Sequence, residues 1–148
     1  MASGIKIDDS VKKAWAGCSM MSVKSKKLKY AVFKFSDDVK KVEVEKTGST
    51  DDGEPCEYDV VIGSLPADDV RYLAYDFDFC NKDGTKKSEM ILVSWHPESC
   101  SVRKKMICAS SFNALKSALS VSKNVIEGDN YSEVDTKAVL EKLGWKAA

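Results

Sequence analysis

The sequence predicts an α/β fold, a central mixed β-sheet sandwiched by helices. Three observations carry this. The stretches "LKYAVFKF" and "EMILVSW" are apolar on both sides of the chain, as strands covered on two faces must be. Helical patterns with one apolar stripe alternate with paired strands, and such elements bury those surfaces by packing in layers. The chain of 148 residues is 43% hydrophobic, enough apolar material for a core at this size.

"DDSVKKAWAGC" predicts a first helix, capped by Asp8 or Asp9, with Val11, Trp15 and Cys18 on one face. "LKYAVFKF" follows as a strand, with Leu28, Tyr30 and Val32 on one side and Ala31, Phe33 and Phe35 on the other. "SDD" turns the chain, and "VKKVEVEK" returns with Val42 and Val44 inward, closing a hairpin. The stretch 47–54, "TGSTDDGE", is a polar loop. A short helix around "CEYDVVIGSL" ends before Pro66. "VRYLAYDFDFC" is an aromatic strand, and "NKDGTKK" is a hairpin tip with Asp83-Gly84 as its turn. "EMILVSW" comes back as a central strand and stops at His96-Pro97. A long helix over 103–119 follows. The tail "NYSEVDTKAVLEKLGW" predicts a last helix, capped by Ser132 or Asp135, with Val139, Leu140 and Leu143 inward and Gly144 as its stop. Without internal repeat or linker, the expectation is a single domain over 1–148.

Composition narrows the function. Lys+Arg and Asp+Glu each number 23, so no global field draws the chain to nucleic acid. No apolar run is long enough to span a bilayer, and "MASGIKIDDS" does not read as a signal peptide. Cys18, Cys56, Cys80, Cys100 and Cys108 lack paired-ligand spacing and do not cluster with His96, which argues against a zinc site or a disulfide framework. They read as reduced, small core residues of a cytosolic or nuclear protein. No nucleophile motif surrounds a serine and no Gly-rich loop fits phosphate, so no enzyme activity, cofactor or metal is expected. The carboxylate pairs Asp8-Asp9, Asp51-Asp52 and Asp68-Asp69 read as turn or cap residues.

The stretch "RKKMICASSFNALKSAL" poses a question, because Arg103, Lys104 and Lys105 crowd the positive end of a helix. Each cation there costs roughly 0.3–1 kcal/mol. At about 100° per residue, Cys108, Phe112, Leu115 and Leu119 share the core stripe. Arg103, Met106, Ser110, Asn113 and Ser117 share the opposite one. A methionine among small serines and cations makes an adaptable docking face for an anionic partner.

"WHPESCSVRKKMICASSFNALKSAL" resembles the signature of the actin-depolymerising factor/cofilin family. "MASG", "LPADDVRYLAYDFDF" and "YSEVDTKAVLEKL" resemble other parts of that family in the same order. The resemblance implies the actin-depolymerising factor homology fold with a flexible N-terminus. It implies binding to actin monomers and filaments, with a changed filament twist, severing and depolymerisation. By position it assigns the actin contact to Ser3, Gly4, Arg103, Lys105 and Met106, with Ser110 or Ser111. It assigns a filament-only contact to Lys86, Lys87, Glu141 and Lys142. It implies inhibition by phosphorylation of Ser3, hence a regulatory kinase and phosphatase. It also implies binding of phosphoinositide headgroups by Arg103, Lys104, Lys105, Lys116 and Lys123. A monomer in the cytoplasm at the cytoskeleton follows. "KSKKLK" at 24–29 sits near where vertebrate members carry a nuclear localisation signal. Cys108 departs from a usual tyrosine, Glu89 from a residue basic in some members, and Gly144-Trp145 from an arginine in some. Asn124 stands at a histidine linked to pH sensing in vertebrate members, which implies a blunted pH response unless His96 substitutes. Competing readings are a coactosin-like or glia-maturation-factor-like relative, a phosphoinositide-binding module, and a thiol enzyme using Cys100 or Cys108.

Overall fold

The computed structural model describes residues 5–19, 29–37, 40–49, 57–80, 84–121 and 123–143. The elements run β1 (Lys6–Ile7), α1 (Asp9–Ser19), β2 (Tyr30–Phe35), β3 (Lys41–Gly48), α2 (Tyr58–Gly63), β4 (Arg71–Cys80), β5 (Lys86–Trp95), α3 (Val102–Leu119), β6 (Val125–Gly128) and α4 (Thr136–Lys142). One sheet takes all six strands in the order β1-β3-β2-β4-β5-β6. The hairpins β2–β3 and β4–β5 are antiparallel, whereas β1 joins β3 and β6 joins β5 in parallel. The sheet is therefore mixed, and α3 is the crossover that a parallel β5–β6 pair requires.

Alternation along β2 explains the layers. Tyr30 and Val32 enter a core beneath α2 and α4 with Leu73, Tyr75, Ile91, Val93 and Trp95. Ala31 and Phe33 enter the other core, beneath α1 and α3, with Tyr72, Ala74 and Leu92. Successive side chains on a strand point to opposite faces, so one strand feeds both cores. Val42 is buried and Val44 packs beside it on the α1/α3 side, as the hairpin reading requires.

Local chemistry sets most of the boundaries. Asp8 caps α1: its Oδ2 accepts from the Ser10 N–H at 3.1 Å, and Asp9 is the first helical residue. The Ser10 hydroxyl also donates to Asp8, and these two bonds, aided by Lys41, hold that carboxyl below its ordinary range. Gly84 has φ 85°, a conformation that suits glycine in the β4–β5 turn. Asp135 caps α4 by accepting from the Ala138 N–H at 3.0 Å.

The fold departs from the sequence reading in three places. The strands β1 and β6 were not expected, because they are too short to show a pattern and depend on a distant partner for their hydrogen bonds. The last helix is broken. Tyr131–Glu133 forms a separate 3-10 turn capped by Asn130, and α4 proper starts after Asp135. Ser132 therefore caps nothing, since its hydroxyl donates to the Asn130 side chain instead. The N-terminal Ser3 and Gly4, Leu28, most of the 24–29 and 47–54 stretches, Asp83 and Gly144-Trp145 lie outside the described residues.

Candidate functional site

The long helix is fastened along one stripe. Cys108, Phe112, Leu115 and Leu119 are buried against the sheet, as the wheel predicts. The Tyr72 ring stacks on Phe112 with centroids 5.6 Å apart, and its hydroxyl donates to the Cys108 carbonyl at 2.5 Å. Burial pushes the Tyr72 phenol well above its ordinary pKa and raises that of the Cys108 thiol, which favours the neutral form of both. The Cys108 sulfur sits 3.5 Å from the Ser94 hydroxyl. A cysteine fully shielded from solvent with a raised pKa is a packing residue, which removes the thiol-enzyme reading at this position.

The loop before α3 is tied to the end of β6. The His96 N–H donates to the Gly128 carbonyl and the Glu98 N–H to the Asp129 carbonyl, each at 3.1 Å. The Ser101 hydroxyl then caps the helix by accepting from the Lys104 N–H at 3.2 Å. The first turn of α3 is thus held at a fixed place on one edge of the molecule.

The outward stripe presents Arg103, Met106, Ser110, Asn113 and Ser117, all exposed. Met106 is 66% exposed and Val102, one turn before it, 71%. These two form an apolar step between cations on an otherwise polar face. Val102 escaped the sequence reading because the helix was expected to begin one residue later. Lys105 is half-buried on the flank.

Ser111 requires a correction. It is fully buried, so an exposed contact at this point of the helix falls to Ser110. The helical period already gives the reason, because Ser111 shares its side of the helix with Cys108 and Leu115.

The remaining assigned residues fall into separate places. The Lys116 ammonium lies 4.9 Å from the centre of the Phe112 ring, in the last turn of α3, where the helix dipole favours a cation. Lys123 is exposed beside a cleft of about 340 Å³ lined also by Trp15, Met90, Leu119 and Val121. Asn124, with φ 60°, donates from its amide to the Glu89 carboxylate at 2.6 Å. Glu141 and Lys142 are exposed at the end of α4, whose inward residue Val139 belongs to the opposite core from α3. Lys86 and Lys87 begin β5, opposite Cys80 and Phe79 of β4. The structure therefore separates the α3 set from the α4 set.

Among the described residues there is no cluster of three metal-ligating side chains, and no helix is long and apolar enough to cross a membrane.

Residues 4–144 match the family described as cofilin/tropomyosin-type actin-binding protein. The chain is 34% identical to cofilin of Yarrowia lipolytica over 142 residues, covering 95% of this chain and 87% of that protein. The crystal structure of Streptomyces griseoflavus cofilin superposes with a TM-score of 0.77 at 29% identity, covering 94% of this chain and 96% of that one. Human coactosin-like protein shares the fold, with a TM-score of 0.72 at 16% identity over 100% of this chain and 96% of that one. A family match over nearly the whole chain, with relatives about a third identical and the same fold, leads to one conclusion: this protein belongs to the cofilin/actin-depolymerising factor family.

Proposed function

We propose that this protein binds actin monomers and filaments through the outward stripe of α3 and promotes filament severing and depolymerisation. The observation that carries the reading is the exposed apolar step, Val102 and Met106, beside Arg103 and Lys105 on a helix anchored along its other side. A rigid helix face with one adaptable side chain, small neighbours and two cations suits an acidic groove. Ser110 completes the contact, with Ser3 and Gly4 of the N-terminus on the same actin. Lys86 and Lys87 of β5 with Glu141 and Lys142 of α4 form the second, filament-only contact. Binding at both surfaces favours one filament twist over another by their difference in affinity, and boundaries between the two twists break.

Phosphate on Ser3, added by a kinase and removed by a phosphatase, opposes this binding by charge. Phosphoinositide headgroups compete for the basic residues Arg103, Lys104, Lys105, Lys116 and Lys123. The protein acts as a monomer in the cytoplasm, without a cofactor and without enzyme activity.

Co-sedimentation with filamentous actin, reading pellet and supernatant, tests the reading. Wild type is expected to pellet with filaments and to raise supernatant actin, and R103A/K105A to do neither. Pelleting without any rise in supernatant actin would mark a side-binding protein of the coactosin kind. Wild-type behaviour in the double variant would remove α3 from the contact.

A further inference from the structure

The cationic first turn of α3 contains no acidic residue of its own. Its compensation comes from another element. Asp69, in the loop before β4, reaches the Lys104 ammonium at 3.1 Å. Its carboxylate is fixed by further bonds, from the Val70 N–H at 2.9 Å and from Arg71 Nη1 at 2.8 Å. Arg71 is held in turn by Glu45 of β3, through Nε at 3.1 Å and Nη2 at 3.2 Å, and its side chain is only 14% exposed. The chain Glu45–Arg71–Asp69–Lys104 therefore links β3, β4 and α3.

The three cations of this turn are not equivalent. Lys104 stands about 100° around the helix from Arg103. That is the side of Cys108, Ser111 and Leu115, which face the sheet. At the first turn the helix overhangs a cleft of about 370 Å³ lined by Lys34, Phe35, Asp69, Arg71, Arg103 and Lys104. The Lys104 side chain is 52% exposed, and its ammonium turns to this side to meet a carboxylate already positioned by two other donors. An isolated surface pair contributes little because both side chains must be ordered. Here Asp69 is ordered beforehand, so Lys104 alone loses freedom.

We propose that Asp69 is an internal counterion that retains Lys104 for the fold, so that the basic turn offers Arg103 and Lys105, but not Lys104, to actin. Asp69 is thus a specificity-determining residue that touches no partner and sets how many cations the partner meets. This rests on the proposal that α3 docks on actin, and the test separates the two.

The first readout involves no partner. The Asp69 carboxyl is titrated by NMR in wild type and in K104A. Its midpoint is expected to rise in K104A, and an unchanged midpoint would overturn the pairing. The second readout is filament co-sedimentation with K104A, D69N, D69N/K104A and R103A. K104A is expected to bind within about twofold of wild type, while R103A binds several-fold more weakly. D69N, with Lys104 released, is expected to bind about two- to fivefold more tightly, the scale of one exposed charge pair. D69N/K104A should return to the wild-type value. A loss in K104A as large as that in R103A, or no gain in D69N, would overturn the counterion role. If D69N does not fold, the K104A arm and the titration still decide the matter. If R103A binds like wild type, the docking reading of α3 fails, while the titration still judges the pairing.

Discussion

Gly48 and Tyr30 stand opposite each other across the β2–β3 pair, and the Tyr30 ring lies where a side chain at 48 would project. A Cβ there would overlap the ring. Tyr30 is buried in the α2/α4 core and has little room to move. Gly48→Ala is expected to cost roughly 1–3 kcal/mol, the range for overpacking, read as a lower urea midpoint. Asn124 makes a different kind of prediction. Its partner is the Glu89 carboxylate, its sequence neighbour is Lys123, and the amide itself does not titrate. Severing rates at about pH 6.5 and about pH 8 should therefore differ little, and Asn124→His should introduce a step by placing a titratable ring beside Glu89. A strong pH dependence in wild type would point to His96 instead.

Among the elements, α3 carries the proposed activity, and its two ends are built differently. At its start, the Ser101 hydroxyl accepts a backbone N–H that would otherwise be unpaired. Ser101→Ala should cost about 1 kcal/mol of stability. It should also weaken actin binding more than its stability cost suggests, since this turn carries Val102, Arg103 and Met106. At its end, Ser120 has φ 56°, a left-handed conformation that a serine adopts at some cost. Ser120→Gly should stabilise the protein by about 0.5–1 kcal/mol in urea denaturation without changing actin binding, since the strain lies at the far end of the helix. A destabilised glycine variant would mean that the serine side chain itself holds the turn.

For the molecule as a whole, stability should fall at both ends of the pH scale. Burial pushes the Asp69 carboxyl up, but the bonds from Arg71, Lys104 and the Val70 N–H outweigh it, so its folded pKa lies below the ordinary value. Asp8 is held low by its bonds with Ser10. Such groups stabilise fully above the ordinary carboxylate pKa of about 3.9, and the contribution is lost as pH falls through the depressed value. The alkaline side has the opposite sign. Burial raises the Cys100 and Cys108 thiols and the Tyr58 and Tyr72 phenols. Unfolded thiols ionise near about 8.5 and phenols near about 10, so stability drains away as pH rises through those values. Urea midpoints measured across pH should form a plateau with an acid and an alkaline limb. Asp69→Asn should shrink the acid limb, and an unchanged limb would show that its carboxylate is not bonded as described.

Much of this was legible along the chain. The two hairpins, the buried face of α3 and the small core cysteines at 18 and 108 follow from periods of 2 and 3.6 residues, and the caps were narrowed to Asp8 or Asp9 and to Ser132 or Asp135 by side chains that bond their own backbone. These are local effects, and neighbouring residues suffice to specify them. The period even held the answer for Ser111, which a choice between adjacent motif positions had left open. What could not be read was whatever depends on residues distant in sequence. The edge strands β1 and β6 have two and four residues, and their hydrogen bonds exist only because β3 and β5 are already in place. Asp68-Asp69 looked like a solvated turn, yet Asp69 closes an ion-pair chain across three elements. Three adjacent cations looked like one patch, yet Lys104 meets a carboxylate from another element. A sequence shows which side of an element is apolar, but where a charge finds its partner is settled only when the layers close and bring β3, β4 and α3 together.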